Sequence, residues 1–228
     1  MSQSPILITG GAQRLGRHCA ERLLDDGHPV IVTYRRERDT LETLRERGAI
    51  TLMADFSSEQ GIGEFIARLA ETTESLRAIV HNASEWVADP EIADAGVTFE
   101  RLFRVHMQAP YLINLHARAL LEACQEPQRD IIHITDSVVQ RGAAGQAAYA
   151  ATKAGLESLT RSFAAQFAPR IQVNAVAPGL IMSAATAAPV DARRIPGPGV
   201  IYQTIRYLLD NDFVTGTVMP VDGGQHLT

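Results

Sequence analysis

The sequence is poor in cysteine. Of 228 residues only Cys19 and Cys124 are thiols, and neither has a CxxC or CxxH neighbourhood. A disulfide framework and a thiolate metal site are therefore not expected, and both read as buried thiols in helices, with no metal called. No apolar run reaches the roughly 18 residues of a spanning helix, and the opening Met-Ser-Gln-Ser-Pro lacks the charged-then-apolar layout of a signal peptide. A cytosolic chain without a membrane partner is expected. Positive charge is not in excess either: Lys and Arg number 21 against 26 Asp and Glu, a net charge of -5. That balance gives no general attraction to nucleic acid, so no nucleic-acid partner is expected, although a local basic pocket remains compatible with it. Repeats and low-complexity linkers are missing. With 46% hydrophobic and 21% charged residues, the chain has the composition of an ordinary globular protein.

What is present is an alternation of two patterns. Short apolar runs at Pro5-Ile6-Leu7-Ile8, Pro29 to Val32, Ile50 to Met53, Ala78-Ile79-Val80, Ile131 to Ile134, Ile171 to Val176 and Val218 to Val221 have no polar alternation. Such runs suit strands buried on both faces. Between them, helical spacing covers 14–26, 38–47, 58–73, 98–124, 146–168 and 199–210. Strand and helix in turn predict an α/β fold of the doubly wound, Rossmann type: seven parallel strands, helices on both faces and right-handed crossovers. At this length a single domain over 1–228 is expected. Gly27, Gly48 and Pro169 fall where helices should stop. The proline- and glycine-bearing stretch 181–199 reads as a mobile loop over a ligand site.

Two clusters carry chemistry. After the first strand, Thr9-Gly10-Gly11-Ala12-Gln13-Arg14-Leu15-Gly16 opens a helix. Amides at such a turn can bind a pyrophosphate, and glycine lets the backbone approach it; a purely structural turn is the alternative. The second strand ends in Thr33-Tyr34-Arg35-Arg36, where an NAD site would carry an acid. Two guanidinium groups there match a 2′-phosphate, which favours NADP over NAD; a solvated helix start is the alternative. Asp55, after the third strand, and Asn82-Ala83-Ser84, after the fourth, lie at strand carboxyl ends, where such sheets bind ligands. Asp55 is a candidate for the adenine amino group or a plain loop cap. The second cluster is Tyr149 and Lys153, four apart on a helix and so on one face; taken alone, a surface i,i+4 contact is the alternative. An ammonium beside a phenol favours the phenolate, so the tyrosine pKa is expected to fall and the phenol to act as proton donor.

Taken in order, the glycine turn, Asn82-Ala83, Tyr149-x-x-x-Lys153, Asn174, Pro178-Gly179 and Asp222-Gly223-Gly224 resemble the short-chain dehydrogenase/reductase family from Thr9 to Gly224. The resemblance implies an NADPH cofactor held around Gly10, Arg14, Leu15, Tyr34, Arg35, Arg36, Asp55, Asn82, Ala83, Ser84, Thr135, Tyr149, Lys153, Pro178, Gly179 and Leu180. It makes Tyr149 the acid/base and Lys153 the ribose ligand that tunes it. It also implies a homotetramer, with the helices near 98–124 and 146–168 at the subunit contacts. Three positions depart from the common pattern: Arg14 replaces a glycine, Asp136 replaces the serine thirteen residues before the tyrosine, and His106 replaces a helix asparagine. The first two resemble the pteridine reductases, as does Trp86, for which core packing is the alternative. In that branch the arginine touches cofactor phosphate and pterin, the aspartate works with the tyrosine, and the aromatic stacks on the pterin. Arg14, Ser84, Trp86, Asp136 and Tyr149 would then form the substrate slot, a flat aromatic surface edged by polar groups. The expectation is NADPH-dependent reduction of a dihydropterin, extending to dihydrofolate. The alternatives are a general ketone or 3-oxoacyl reductase and a non-catalytic NADP sensor. His106 reads either as an organiser of water or as helix packing.

Overall fold

The computed structural model describes residues 3–91, 93–182 and 195–227. Its centre is a sheet of β1 (Ile6–Ile8), β2 (Val30–Tyr34), β3 (Ile50–Met53), β4 (Ala78–His81), β5 (Asp130–Ile134), β6 (Gln172–Pro178) and β7 (Val218–Val221). All pairings are parallel, in the order β3-β2-β1-β4-β5-β6-β7. The expected α/β class, doubly wound with seven parallel strands, is therefore the observed one. The order reverses between β1 and β4, which opens a crevice at their carboxyl ends.

Helices α1 (Arg14–Asp25), α2 (Asp39–Glu46), α3 (Glu59–Thr72), α4 (Ala95–Phe103), α5 (Ala109–His116), α6 (Arg118–Glu122), α7 (Val138–Arg141), α8 (Ala147–Phe167) and α9 (Gly199–Leu209) connect the strands. On one face Ile6, Ile8, Val30 and Val32 pack with Leu23 of α1, Leu41 of α2 and Ile201 of α9. On the other, Leu7, Ile31, Ile79 and Ile131 pack with Phe65 of α3, Ile113 of α5 and Phe163 of α8. Alternate residues of one strand thus enter opposite cores, which is why the strands read as unbroken apolar runs. Gly27 and Gly48 end α1 and α2 as expected, both with φ near +90° (86° and 89°). The Gly27 and His28 amides reach back to Leu24 and Leu23 O at 3.1 and 3.0 Å, the closing pattern that needs a left-handed residue.

The helix expected over 98–124 is not continuous. It is α4, a wider π-helical turn at Arg104–Gln108, then α5 and α6. Pro110 is the physical reason: it has no N–H for the carbonyl four residues back, and its ring crowds that carbonyl. The ladder widens instead, and the Ala109 amide bonds Arg104 O. The short α7 carries too little periodicity to be seen in the sequence. Most of the loop expected to be mobile over 181–199 lies outside the described residues.

At the end of the sheet opposite the crevice, Arg77 and Asp130 form a buried ion pair at 2.5 Å. The second Arg77 nitrogen bonds Leu209 O at 2.7 Å, and Gln128 bonds Asp130, Leu208 O and Asn211 O. Burial outweighs the attraction of Arg77 and pushes the Asp130 carboxyl up to about 6, so the pair ties α9 to the sheet at an electrostatic cost. Asp130→Ala, which leaves the buried guanidinium only the more distant Glu126 carboxylate at 3.7 Å, is expected to lower stability by about 3 kcal/mol in urea unfolding. The apolar double change Arg77→Met with Asp130→Leu should restore most of it; an equal loss in both would contradict this account.

Candidate active site

The crevice is a cleft of about 730 Å³, and every candidate site residue from the sequence lines it. Its floor is set by Asn82. Asn82 Nδ2 donates to Thr9 O and Gly10 O, both at 3.0 Å, while the Asn82 and Ala83 amides share Thr9 Oγ1 at 3.0 Å. The end of β4 is thereby stitched to the turn after β1. Gly10 (φ 67°) donates to Thr33 Oγ1 at 2.9 Å, and a Cβ on it would lie 2.9 Å from Ala83 Cα. A side chain would strike the loop after β4, so glycine is what lets the two segments lining the cleft pack backbone to backbone.

Arg14 begins α1 at φ 49°, the one non-glycine residue with positive φ among those described. A left-handed arginine is strained, and the strain brings a guanidinium into the cleft where glycine would leave none. Arg35 and Arg36 line the far end with Tyr34, and Arg38 joins them. Nothing in the sequence separates Arg38 from the helix start that follows it. Arg35 lies 3.7 Å from Glu85, whose other oxygen is 3.1 Å from Arg101. Asp55 faces the cleft, but its Oδ1 takes the Ser57 amide and hydroxyl at 3.0 and 2.7 Å, the local cap weighed above. Partial burial works to raise its pKa, yet the Ser57 bonds and Arg35 hold it below the ordinary value.

At the near end, Tyr149 donates its hydroxyl proton to Asp136 Oδ2 at 2.9 Å, and Asp136 Oδ1 accepts from the Val138 amide at 2.9 Å. Lys153, the only lysine in the sequence, is 2% exposed and donates to Ile134 O at 2.9 Å. Burial lowers its pKa to about 8, against the pull of Asp136. The expected lowering of the tyrosine pKa is not what the geometry produces. Burial and the adjoining Asp136 carboxylate raise it, while the ammonium lies 5.7 Å from the ring centroid, engaged with a backbone carbonyl. The phenol is held protonated, which suits a proton donor.

Trp86 is 55% exposed and faces the cleft, which removes the core-packing reading and leaves a flat surface open to a ligand. The loop that carries it is pinned to the helix bearing Tyr149: Asp89 accepts the Ala147 amide at 2.7 Å, and its own amide bonds Gly145 O. Thr135, Pro178, Gly179 and Leu180 complete the wall, the Leu180 amide bonding Gln225 at 2.8 Å. Among the described residues no helix is long and apolar enough to cross a membrane.

A glycine-cradled dinucleotide cleft on a doubly wound sheet, with Tyr149 and Lys153 at its end, is the arrangement of one large class of oxidoreductases. The chain belongs to that class: the family model described as short chain dehydrogenase matches residues 4–194. More particular likenesses run over the whole length. The dihydromonapterin reductase of Klebsiella pneumoniae subsp. pneumoniae is 43% identical over 232 aligned positions, covering 98% of this chain and 97% of that one. Its counterpart of the same name in Enterobacter sp. is 41% identical, covering 99% and 98%. The crystal structure of FolM alternative dihydrofolate reductase 1 from Brucella canis complexed with NADP superposes with a TM-score of 0.87 at 28% identity, covering 99% of this chain and 94% of that one.

Because a positive φ costs an arginine about 1 kcal/mol, Arg14→Gly should leave stability unchanged or raise it by about that amount in thermal or urea unfolding. A clear loss would show that the guanidinium props up the turn.

Proposed function

We propose that this chain reduces a dihydropterin with NADPH, 7,8-dihydromonapterin to the tetrahydro form in the first place and dihydrofolate as a second substrate. The observation that carries the reading is that a carboxylate, Asp136, receives the Tyr149 proton, in a cleft that also exposes Trp86. A ketone needs only a hydroxyl pair at this position. A pterin has ring nitrogens that must be protonated and an edge of donors and acceptors to satisfy. The full-length likeness to dihydromonapterin reductases and to an NADP-bound relative supports the same choice.

The glycine turn at the start of α1 and the guanidinium groups of Arg14, Arg35 and Arg36, all lining the cleft, fit a phosphorylated dinucleotide in position and charge. NADPH, when bound, supplies the hydride delivered to pterin C6. Arg35 and Arg36 would hold the 2′-phosphate, and Asn82 keeps the turn in register. Lys153 is placed to bind the nicotinamide ribose, and Trp86 offers its face to the pterin. Tyr149 holds the proton destined for N5, and Asp136 orients the phenol and shares the transfer. A non-catalytic sensor would not need this set, and the Tyr149, Lys153 and Asp136 positions are all filled.

The assembly we propose is a cytosolic homotetramer. The outer faces of α4 and α5 leave Val97, Phe99, Tyr111 and Leu115 exposed, an apolar surface of the kind that subunit contacts cover.

The decisive assay follows the loss of NADPH absorbance with dihydromonapterin, dihydrobiopterin, dihydrofolate and a β-ketoacyl ester. Turnover of the dihydropterins is expected, and Arg14→Gly should weaken it by about tenfold through the lost guanidinium contact. Turnover of the ketoester alone would reject the proposal. NADPH affinity should fall as pH rises through about 8, since Lys153 is charged below its pKa and neutral above it. In Lys153→Met that step should vanish; a step that persists would belong to another group.

A further inference from the structure

His106 is a titratable side chain that the reaction just described does not use. The π-helical turn sets it inward, 1% exposed, between the loop after β4 and the start of α8. Its hydrogen bonds fix its protons. The Glu85 amide, which can only donate, lies 3.2 Å from Nε2, so Nε2 carries no hydrogen. Ser84 Oγ is 2.9 Å from the same nitrogen and, facing a bare nitrogen, can only donate, so the hydroxyl and the Glu85 amide share its single lone pair. On the other side Nδ1 is 2.8 Å from Thr152 Oγ1, whose own proton goes to Tyr149 O at 2.8 Å. Nδ1 thus carries the hydrogen and donates. Burial, with the Lys153 charge nearby, pushes the ring down to about 2, so it stays neutral.

The consequence falls on Ser84, whose hydroxyl borders the cleft. A hydroxyl has one proton and two lone pairs. With the proton committed to His106, only lone pairs face inward, toward the cleft and the Tyr149 side chain with which Ser84 also interacts. We propose that His106 is a positioning residue which, held as the Nδ1–H tautomer, makes Ser84 an obligate acceptor for an N–H on the substrate ring. The substrate part rests on the dihydropterin reading. A pterin edge offers such a hydrogen, whereas a ketone oxygen would meet lone pairs and go unpaired, a mismatch that binding sites reject strongly. The same nitrogen holds the Glu85 amide, so the loop presenting Trp86 is anchored by the group that orients Ser84.

Two measurements test this. Nitrogen-15 NMR of the imidazoles, with His106 identified by its loss in His106→Gln, should show Nδ1 protonated and Nε2 bare, without titration through the neutral range. A proton on Nε2, or a titrating ring, would overturn the proposal. In kinetics with NADPH and 7,8-dihydrobiopterin, Ser84→Ala and His106→Phe should each raise KM about tenfold, with kcat within about threefold. The double variant should be no worse than either single, because both remove one interaction. His106→Gln, whose amide oxygen accepts while its nitrogen donates, should return KM close to that of the parent. Additive effects, or no rescue by glutamine, would mean that His106 merely fills space. If His106→Phe does not fold, Ser84→Ala, His106→Gln and the spectrum decide the matter. A chain that reduced no dihydropterin at all would remove the functional reading, while the imidazole spectrum would still judge the tautomer.

Discussion

One amide group, Asn82 Nδ2, binds two carbonyls at the end of β1, and the cleft depends on that junction. Where the strand order of a doubly wound sheet reverses, the connections leave toward opposite faces, and backbone groups just beyond the paired strand ends have no neighbouring strand. Asn82 and Thr9 satisfy them with side chains. The glycine turn then lies at a set distance from the loop after β4, the first holding the amides for a dinucleotide and the second carrying Ser84, Glu85 and Trp86.

Electrostatics at the other end follows from burial. Tyr149, Asp136 and Lys153 are close together in a place that disfavours charge, so the carboxylate is steadied by an amide, the phenol keeps its proton, and the ammonium leans on Ile134 O. Removing water strengthens each remaining interaction. A neutral imidazole beside them adds no charge, yet it decides which way a hydroxyl points.

The fold was legible because the parallel sheet leaves a plain signature: each apolar run became a strand within a few residues, and the glycine stops fell at helix ends. The cleft was legible for a related reason, since residues at the ends of consecutive strands converge whatever lies between them. What could not be read depends on contacts between distant segments. That Pro110 would widen a helix and turn His106 inward is a packing outcome. So is the capping of α8 by Asp89, 58 positions before Ala147. The tyrosine shift was misjudged because spacing on a helix shows that Lys153 is near, but not that its ammonium is occupied elsewhere while Asp136 is closer.

Lys153 has one more consequence, which comes from composition. Every other Lys-or-Arg cation in the sequence is an arginine, and guanidinium groups keep their charge at any pH the fold would survive. The positive surface of the molecule is therefore permanent, and its one side-chain ammonium is internal. Among side chains, amine chemistry is confined to the buried end of the cleft, so a reagent that acylates or condenses with primary amines would find the surface silent and report, beyond the chain terminus, on the one nitrogen inside.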